Sequence, residues 1–164
     1  MSEQTYRPQT VAFMDRLADL DAGERARLKR NAGKTLAEAR DTALALFYRL
    51  IPPGVPETQE EIYFLVATLY PLAESGKNGN LGDALRRARM MAASEEGLDR
   101  HVEVLLDADA EQLPFRLRQA IHYLASSRVP VNWPQLLEDL LNWNHPRRFV
   151  QRAWARAYFG KTSD

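Results

Sequence analysis

Apolar residues recur at spacings of three and four along nearly the whole chain, which predicts helices that each bury one face. The first such stretch covers residues 8–20, with Val11, Met14, Leu17 and Ala18 inward. Asp21, with Glu24 three residues later, forms a capping box that opens a second helix. Thr35 and Glu38 repeat that device ahead of a third helix, which buries Leu36, Ala39, Ala43, Leu46, Phe47 and Leu50. Pro52-Pro53-Gly54 stops it, because proline has no amide proton to continue the ladder. A fourth helix is predicted over residues 56–74, with Ile62, Leu65, Val66, Leu69, Leu72 and Ala73 inward and a kink at Pro71.

After a polar loop at residues 75–80, a fifth helix over 81–92 places Leu81, Ala84, Leu85, Ala88 and Met91 inside. Ser94 is the predicted cap of a sixth, which carries Leu98, Val102, Leu105 and Leu106. The seventh begins near Glu111, since Pro114 is tolerated only in a first turn. It buries Leu113, Leu117, Ala120, Ile121 and Leu124. Val129-Pro130-Val131 reads as an extended link. Asn132 and Gln135 then open an eighth helix with Leu136, Leu137, Leu140, Leu141 and Trp143 on its apolar side. His145-Pro146 separates it from a ninth, which buries Phe149, Val150, Ala153, Trp154, Ala157 and Tyr158. No segment alternates as a strand does. The predicted fold is all-α: eight or nine helices in two helical-bundle lobes, residues 1–94 and 95–164. Each half is small for an independent core, so the lobes should pack together.

The composition narrows the chemistry. There is no cysteine, which excludes disulfides and thiolate metal sites and favours an intracellular setting. The first residues are polar, and no apolar run approaches the roughly 20 residues that span a bilayer. The expectation is a soluble cytoplasmic protein without a membrane partner. Of 22 bases only Lys29, Lys34, Lys77 and Lys161 are lysines. Arginine suits forked contacts to phosphate, but the codon usage of a GC-rich genome would give the same ratio.

The net charge is zero, yet the charges are sorted. Residues 25–34 hold Arg25, Arg27, Lys29, Arg30 and Lys34 with no acid. Residues 147–161 hold Arg147, Arg148, Arg152, Arg156 and Lys161, again with no acid. Glu95, Glu96, Asp99, Glu103, Asp107, Asp109 and Glu111 collect between them, facing only Arg100 and His101. Local fields of this kind attract a polyanion without raising the isoelectric point.

Little else resembles a reactive site. His101, His122 and His145 lack the spacing of metal ligands, and no histidine follows a glutamate by three as in di-iron bundles. Gly76, Gly79 and Gly82 have no strand before them and no Gly-Lys-Ser/Thr. No Gly-x-Ser-x-Gly occurs. The expectation is a protein without catalysis, metal or cofactor. Phe47, Phe64, Phe149 and Trp154 fall on apolar stripes, and Trp133 beside its cap reads as packing. Tyr48-Arg49 is the one pair left open for base stacking.

The bases form rows. Arg148, Arg152 and Arg156 sit four apart and drift only about 40° per step, so they share a helix face. Arg27, Arg30 and Lys34 make a similar row. Arg86 and Arg87 extend outward from the fifth helix, and Arg118 from the seventh. Solvated surface or ion pairs to Glu96, Glu103 or Asp107 could use any one of them. Two acid-free runs of five favour phosphate contact.

Several short motifs also occur in a particular order. Phe47-Tyr48-Arg49-Leu50 ends a helix before proline, and Leu81-Gly82-Asp83-Ala84-Leu85 follows a polar loop. Leu117-Arg118-Gln119-Ala120 precedes Val131-Asn132-Trp133-Pro134-Gln135-Leu136. Asp139-Leu140-Leu141-Asn142-Trp143 then leads into the basic last helix. From about Arg27 to Phe159 this resembles the small subunit of the type I-E CRISPR surveillance complex, the CasB family of Cascade. The resemblance implies a non-catalytic subunit, two copies of which sit in a ribonucleoprotein built on a CRISPR RNA. It implies contacts with the backbone subunits, the large subunit and a second copy, and support of the target and displaced DNA strands, with RNA also a candidate ligand. Carried over by position, the nucleic-acid contacts are Arg27, Lys29, Arg30, Arg49, Lys77, Arg118, Arg147 and Arg148. The rows add Arg86, Arg87 and Arg152. Asp83 departs from the basic or neutral residue that its motif would carry. The competing reading is a helical interaction scaffold whose basic patches meet acidic protein surfaces.

Overall fold

The computed structural model describes residues 5–77, 79–92 and 96–161. Among them are nine α-helices: α1 Pro8–Ala18, α2 Ala22–Arg30, α3 Ala43–Leu50, α4 Glu60–Leu69, α5 Leu81–Met91, α6 Glu96–Leu106, α7 Leu113–Ser126, α8 Trp133–Leu141 and α9 Phe149–Phe159. The Ser94 cap, the boundary at 94–95 and the side chains of Glu95 and Glu96 lie outside the described residues.

α4 is the centre. Every residue from Tyr63 to Leu69 is buried, so beyond its first turn this helix has no solvent face, and α2, α7 and α8 pack around it. The apolar run around it is longer than the helix. Three-residue 3-10 turns, Glu57–Gln59 and Tyr70–Leu72, flank α4, and Pro71 falls in the second of them. Proline therefore ends the α-helix where a kink was predicted.

Two other stretches differ from the apolar pattern. Thr35 and Glu38 do form a capping box, but it closes on a short turn, Leu36–Glu38, and α3 starts only at Ala43. The interruption has a visible cause in Asn31, which is fully buried. Its amide donates to the carbonyls of Arg27 (2.8 Å) and Arg40 (3.1 Å), and its oxygen accepts from the Arg40 N–H (2.9 Å). Asp41 and Thr42 then turn through left-handed backbone before the helix begins. In α1 the buried stripe is Thr10, Phe13 and Leu17, with Val11 and Ala18 outward. Phe13 offers more apolar area than Val11, and the Thr10 hydroxyl donates to Glu138 on α8. The helix rotates accordingly.

α5 runs along α9, and Gly82 permits it. A Cβ there would lie 2.3 Å from the Trp154 carbonyl oxygen. Asp83, the residue that departs from its motif, caps the same helix. Its carboxylate accepts from the Asn80 N–H (2.8 Å), while the Asn80 side chain accepts from the Asp83 N–H (3.1 Å). Met91, Phe149 and Ala153 are exposed instead of inward. α5 and α9 bury Ala84, Leu85 and Ala88 against Val150, Trp154 and Tyr158, which leaves those three outside.

α5 packs on α9, and α1 and α4 pack on α8, so both halves of the chain share one hydrophobic core. The predicted link at 129–131 is held on both sides: the Gly76 N–H donates to Val131 and the Val131 N–H to Glu74, each at 2.8 Å. Trp133 is buried, with its indole N–H on the Ala73 carbonyl (3.3 Å), as a packing residue should be.

Candidate nucleic-acid interface

The arginines divide by what their guanidinium groups touch. Arg16 donates to the carbonyls of Leu50 and Ile51 at the end of α3. Arg40 serves the Ala39 carbonyl (2.9 Å), and Arg7 pairs with Glu138 (3.3 Å). Arg89 lies over the Tyr158 ring, 4.8 Å from its centroid, and 3.8 Å from Asp99. The Tyr158 hydroxyl donates to that same Asp99, so α5, α6 and α9 meet in one network. Burial and the adjacent Asp99 carboxylate hold the Tyr158 phenol protonated well above its ordinary range.

Arg86 belongs with this group. Its Nη1 donates to the Gly160 carbonyl (2.6 Å) and reaches that of Tyr158 (3.4 Å). The side chain caps the last turn of α9 instead of extending outward, because the free carbonyls there attract a cation. Arg87, one residue on, is exposed.

The run at 25–34 is mostly different. Arg25 is spent over the Tyr70 ring at 5.3 Å. Arg27 is half-buried and Lys29 exposed, and neither side chain has a hydrogen-bond or ion-pair partner among the described residues. Arg30 pairs with Asp41 at 3.4 Å, with both side chains more than half exposed. Such a pair is worth roughly 0–1 kcal/mol, so exchanging Asp41 for a phosphate costs little. α2 ends at Arg30, and Lys34 lies beyond the Gly33 turn, off the helical row. α7 brings Arg118 to this place: its aliphatic stem packs on the Gly33 backbone. Arg118 is exposed and without a polar partner among the described residues.

At the other run, Arg148 is the N-cap of α9 with φ 51°, and its guanidinium donates to the Leu106 carbonyl at the end of α6. It therefore leaves the row that Arg152 and Arg156 keep. Both of these, and Arg147, are exposed. The remaining predicted contacts stand apart: Arg49 exposed in the last turn of α3, and Lys77 exposed in the loop before α5. Tyr48, beside Arg49, donates to Glu60 (2.9 Å), which ties its hydroxyl to α4, and the residue is 49% exposed.

Among the described side chains, Glu103 of α6 and Asp107 just beyond it neutralise none of Arg27, Arg118 and Arg148. The ion pairs include Arg7–Glu138, Arg30–Asp41 and Arg89–Asp99. No group of three or more described His, Asp or Glu residues is placed to hold a metal ion, and no described helix is long and apolar enough to cross a membrane.

The sequence profile of the CRISPR-associated protein Cse2 family matches residues 24–159, a span that takes in both basic runs except Lys161. The chain belongs to the Cse2 family. A curated Cse2 protein of Thermus thermophilus is 36% identical over 105 residues, covering 63% of this chain and 59% of the relative. The chain thus matches a little over half the length of that relative. A crystal structure of a Cse2-family protein from Thermus thermophilus superposes with a TM-score of 0.77 at 29% identity, covering 93% of this chain and 98% of that one. A chain of a CRISPR RNA-guided surveillance complex has a TM-score of 0.78 at 23% identity, covering 92% and 91%, a likeness of fold.

Within this Cse2 fold, residue spacing marked most of the exposed bases but not the partners of the others. Asp99, Arg89 and Tyr158 come together from three helices, and nothing local in the sequence signals that meeting. The carbonyls that hold Arg86 and Arg148 likewise belong to helix ends distant in the chain. Asp139 is a further half-buried group that spacing did not reveal. It accepts from the Trp154 indole N–H and the Gln135 amide, each at 2.8 Å, and burial pushes its carboxyl above the ordinary range.

Proposed function

We propose that this Cse2-family chain is a non-catalytic small subunit of a Cascade-type, CRISPR RNA-guided complex. It grips nucleic-acid backbone without reading sequence and so stabilises the R-loop. One observation carries this reading. The side chains of Arg27, Lys29, Arg118, Arg147 and Arg152 have no polar partner among the described residues, while those of Arg7, Arg16, Arg40, Arg86 and Arg89 are consumed within the fold. Cations left over in acid-free clusters suit phosphates. Phosphate contacts position a strand but carry no base identity, which guide pairing supplies in RNA-guided systems. Arg27, Lys29, Arg30 and Arg118 form one contact surface, and Arg147, Arg152 and Arg156 a second. Arg49, Lys77 and Arg87 are accessory contacts. The partners are target and displaced DNA strands, guide RNA, backbone and large subunits, and a second copy of the chain, in the cytoplasm. Residues 1–94 and 95–164 act as its two lobes.

Equilibrium binding of labelled single- and double-stranded oligonucleotides across a salt series tests this. Each neutralised phosphate releases counterions, so log affinity should fall linearly with log salt. Equal affinity for unrelated sequences is expected. A flat salt response, with tight binding to an acidic protein surface, would favour the interaction-scaffold reading.

A further inference from the structure

The hollow between α6 and α7 is chemically unlike its neighbours. Glu61 and Glu111 line one of the other hollows, Glu74 a second and Asp107 a third. Among the described residues, the α6–α7 hollow, about 320 Å³, has no carboxylate on its wall. This holds although α6 is the acidic helix: Asp99 is turned to Tyr158 and Arg89, and Glu103 faces solvent. The rim carries Arg116, Arg118, His101 and His122. The floor is apolar, made by Leu98, Val102 and Leu105 of α6, all buried. The half-buried ring of Tyr123 completes one wall.

A phosphate needs the rim and gains nothing from the floor. A nucleotide needs both. Its base offers two apolar faces to Leu98, Val102 and the Tyr123 ring, and a hydrogen-bonding edge to imidazoles that can donate or accept. Arg118 belongs to both features at once: its stem lies on Gly33 beside the α2 bases, and its side chain lines the hollow. His122 follows one helical turn later on the same side. We propose that the α6–α7 hollow receives one unpaired nucleobase from a strand whose phosphate lies on Arg118. The inference rests on the backbone-binding reading above and adds a contact that phosphate chemistry does not supply. Because an apolar floor accepts any base face, the contact is tolerant of sequence.

The test compares a single-stranded oligonucleotide with a deoxyribose-phosphate oligomer of equal length and charge that lacks bases. The full chain should bind the base-bearing strand about tenfold more tightly, which is the scale of one stacked base. Ala120→Met fills the hollow from its wall, and Tyr123→Leu removes the ring while keeping an apolar side chain. Each should reduce the base-dependent factor towards one and leave affinity for the baseless oligomer unchanged. Arg118→Gln should weaken both ligands. A strand carrying 2-aminopurine should change emission on wild-type protein and change less on whichever variant folds normally by circular dichroism. Equal wild-type affinity for the two ligands would overturn the base pocket and leave the backbone reading standing. So would a base-dependent factor that both variants leave intact. Failure of wild type to bind either ligand would overturn both readings.

Discussion

The aliphatic stem of Arg118 lies across the backbone of Gly33, so close that a Cβ at position 33 would sit 2.8 Å from its Cδ. The contact joins the turn after α2 to α7, from different halves of the chain. It delivers an α7 arginine to the base run of α2 and makes one cationic surface from two sequence signals 85 residues apart, counted from 33 to 118.

Gly33→Ala should destabilise the protein by about 1–2 kcal/mol. Gly33 has φ +78°, a left-handed conformation that a Cβ disfavours. The flexible Arg118 chain can move aside, but the backbone cannot. Urea unfolding checks this; an unchanged midpoint would show that the turn relaxes.

Gly82→Ala should be costlier, about 3 kcal/mol, at the upper end for overpacking. The atom it meets is the Trp154 carbonyl oxygen, at 2.3 Å, and backbone in the middle of α9 has no rotamer escape. A large fall in melting temperature is expected, with α5 and α9 losing amide protection together in hydrogen exchange. Loss confined to α5 would contradict the shared packing.

The helices themselves were legible in the sequence. Periodicity, the Asp21–Glu24 box and the cap at Asn132 located them, because those signals are local and energetically decisive. The break between Thr35 and Ala43 was not legible. It depends on one buried asparagine, Asn31, satisfying backbone groups on two segments. Arg86 and Arg148 look like surface bases in sequence because the carbonyls they cap lie 74 and 42 residues away. Charge sorting marks Lys29, Arg147 and Arg152, since acid-free runs leave few internal partners, but it does not mark Arg118 or the ties that hold Arg25 and Arg148.

Asp139 sets a pH response. Its folded-state pKa is raised above the ordinary carboxylate value by burial, partly offset by the hydrogen bonds from Trp154 and Gln135. The folded state therefore holds the proton more tightly than the unfolded chain, and stability contributed by this group falls as pH rises through that window. Asp139→Asn keeps an acceptor for Trp154 and removes the buried charge. The variant should gain stability relative to wild type as pH rises from about 4 to neutrality. Parallel stability curves for the two proteins would contradict the assignment.

Tyr158→Phe removes the hydroxyl that donates to Asp99 and should cost about 1–2 kcal/mol. The Arg89 guanidinium keeps both its ring and its carboxylate, so nucleic-acid affinity of the folded variant should not change. Thermal melts beside a binding isotherm separate the two quantities.

The most direct test reverses charge at Arg27, Arg30, Arg118 and Arg148, singly, in a reconstituted RNA-guided complex. R-loop lifetime and melting temperature are measured on the same preparations. For Arg27, Arg30 and Arg118, lifetime should shorten while melting temperature stays nearly constant, because no buried partner is lost, and the salt slope should fall by roughly one unit per residue. Arg148→Glu should also lower melting temperature, since it gives up the Leu106 carbonyl. R-loop lifetimes equal to wild type in folded Arg27, Arg30 and Arg118 variants would contradict backbone gripping by this surface.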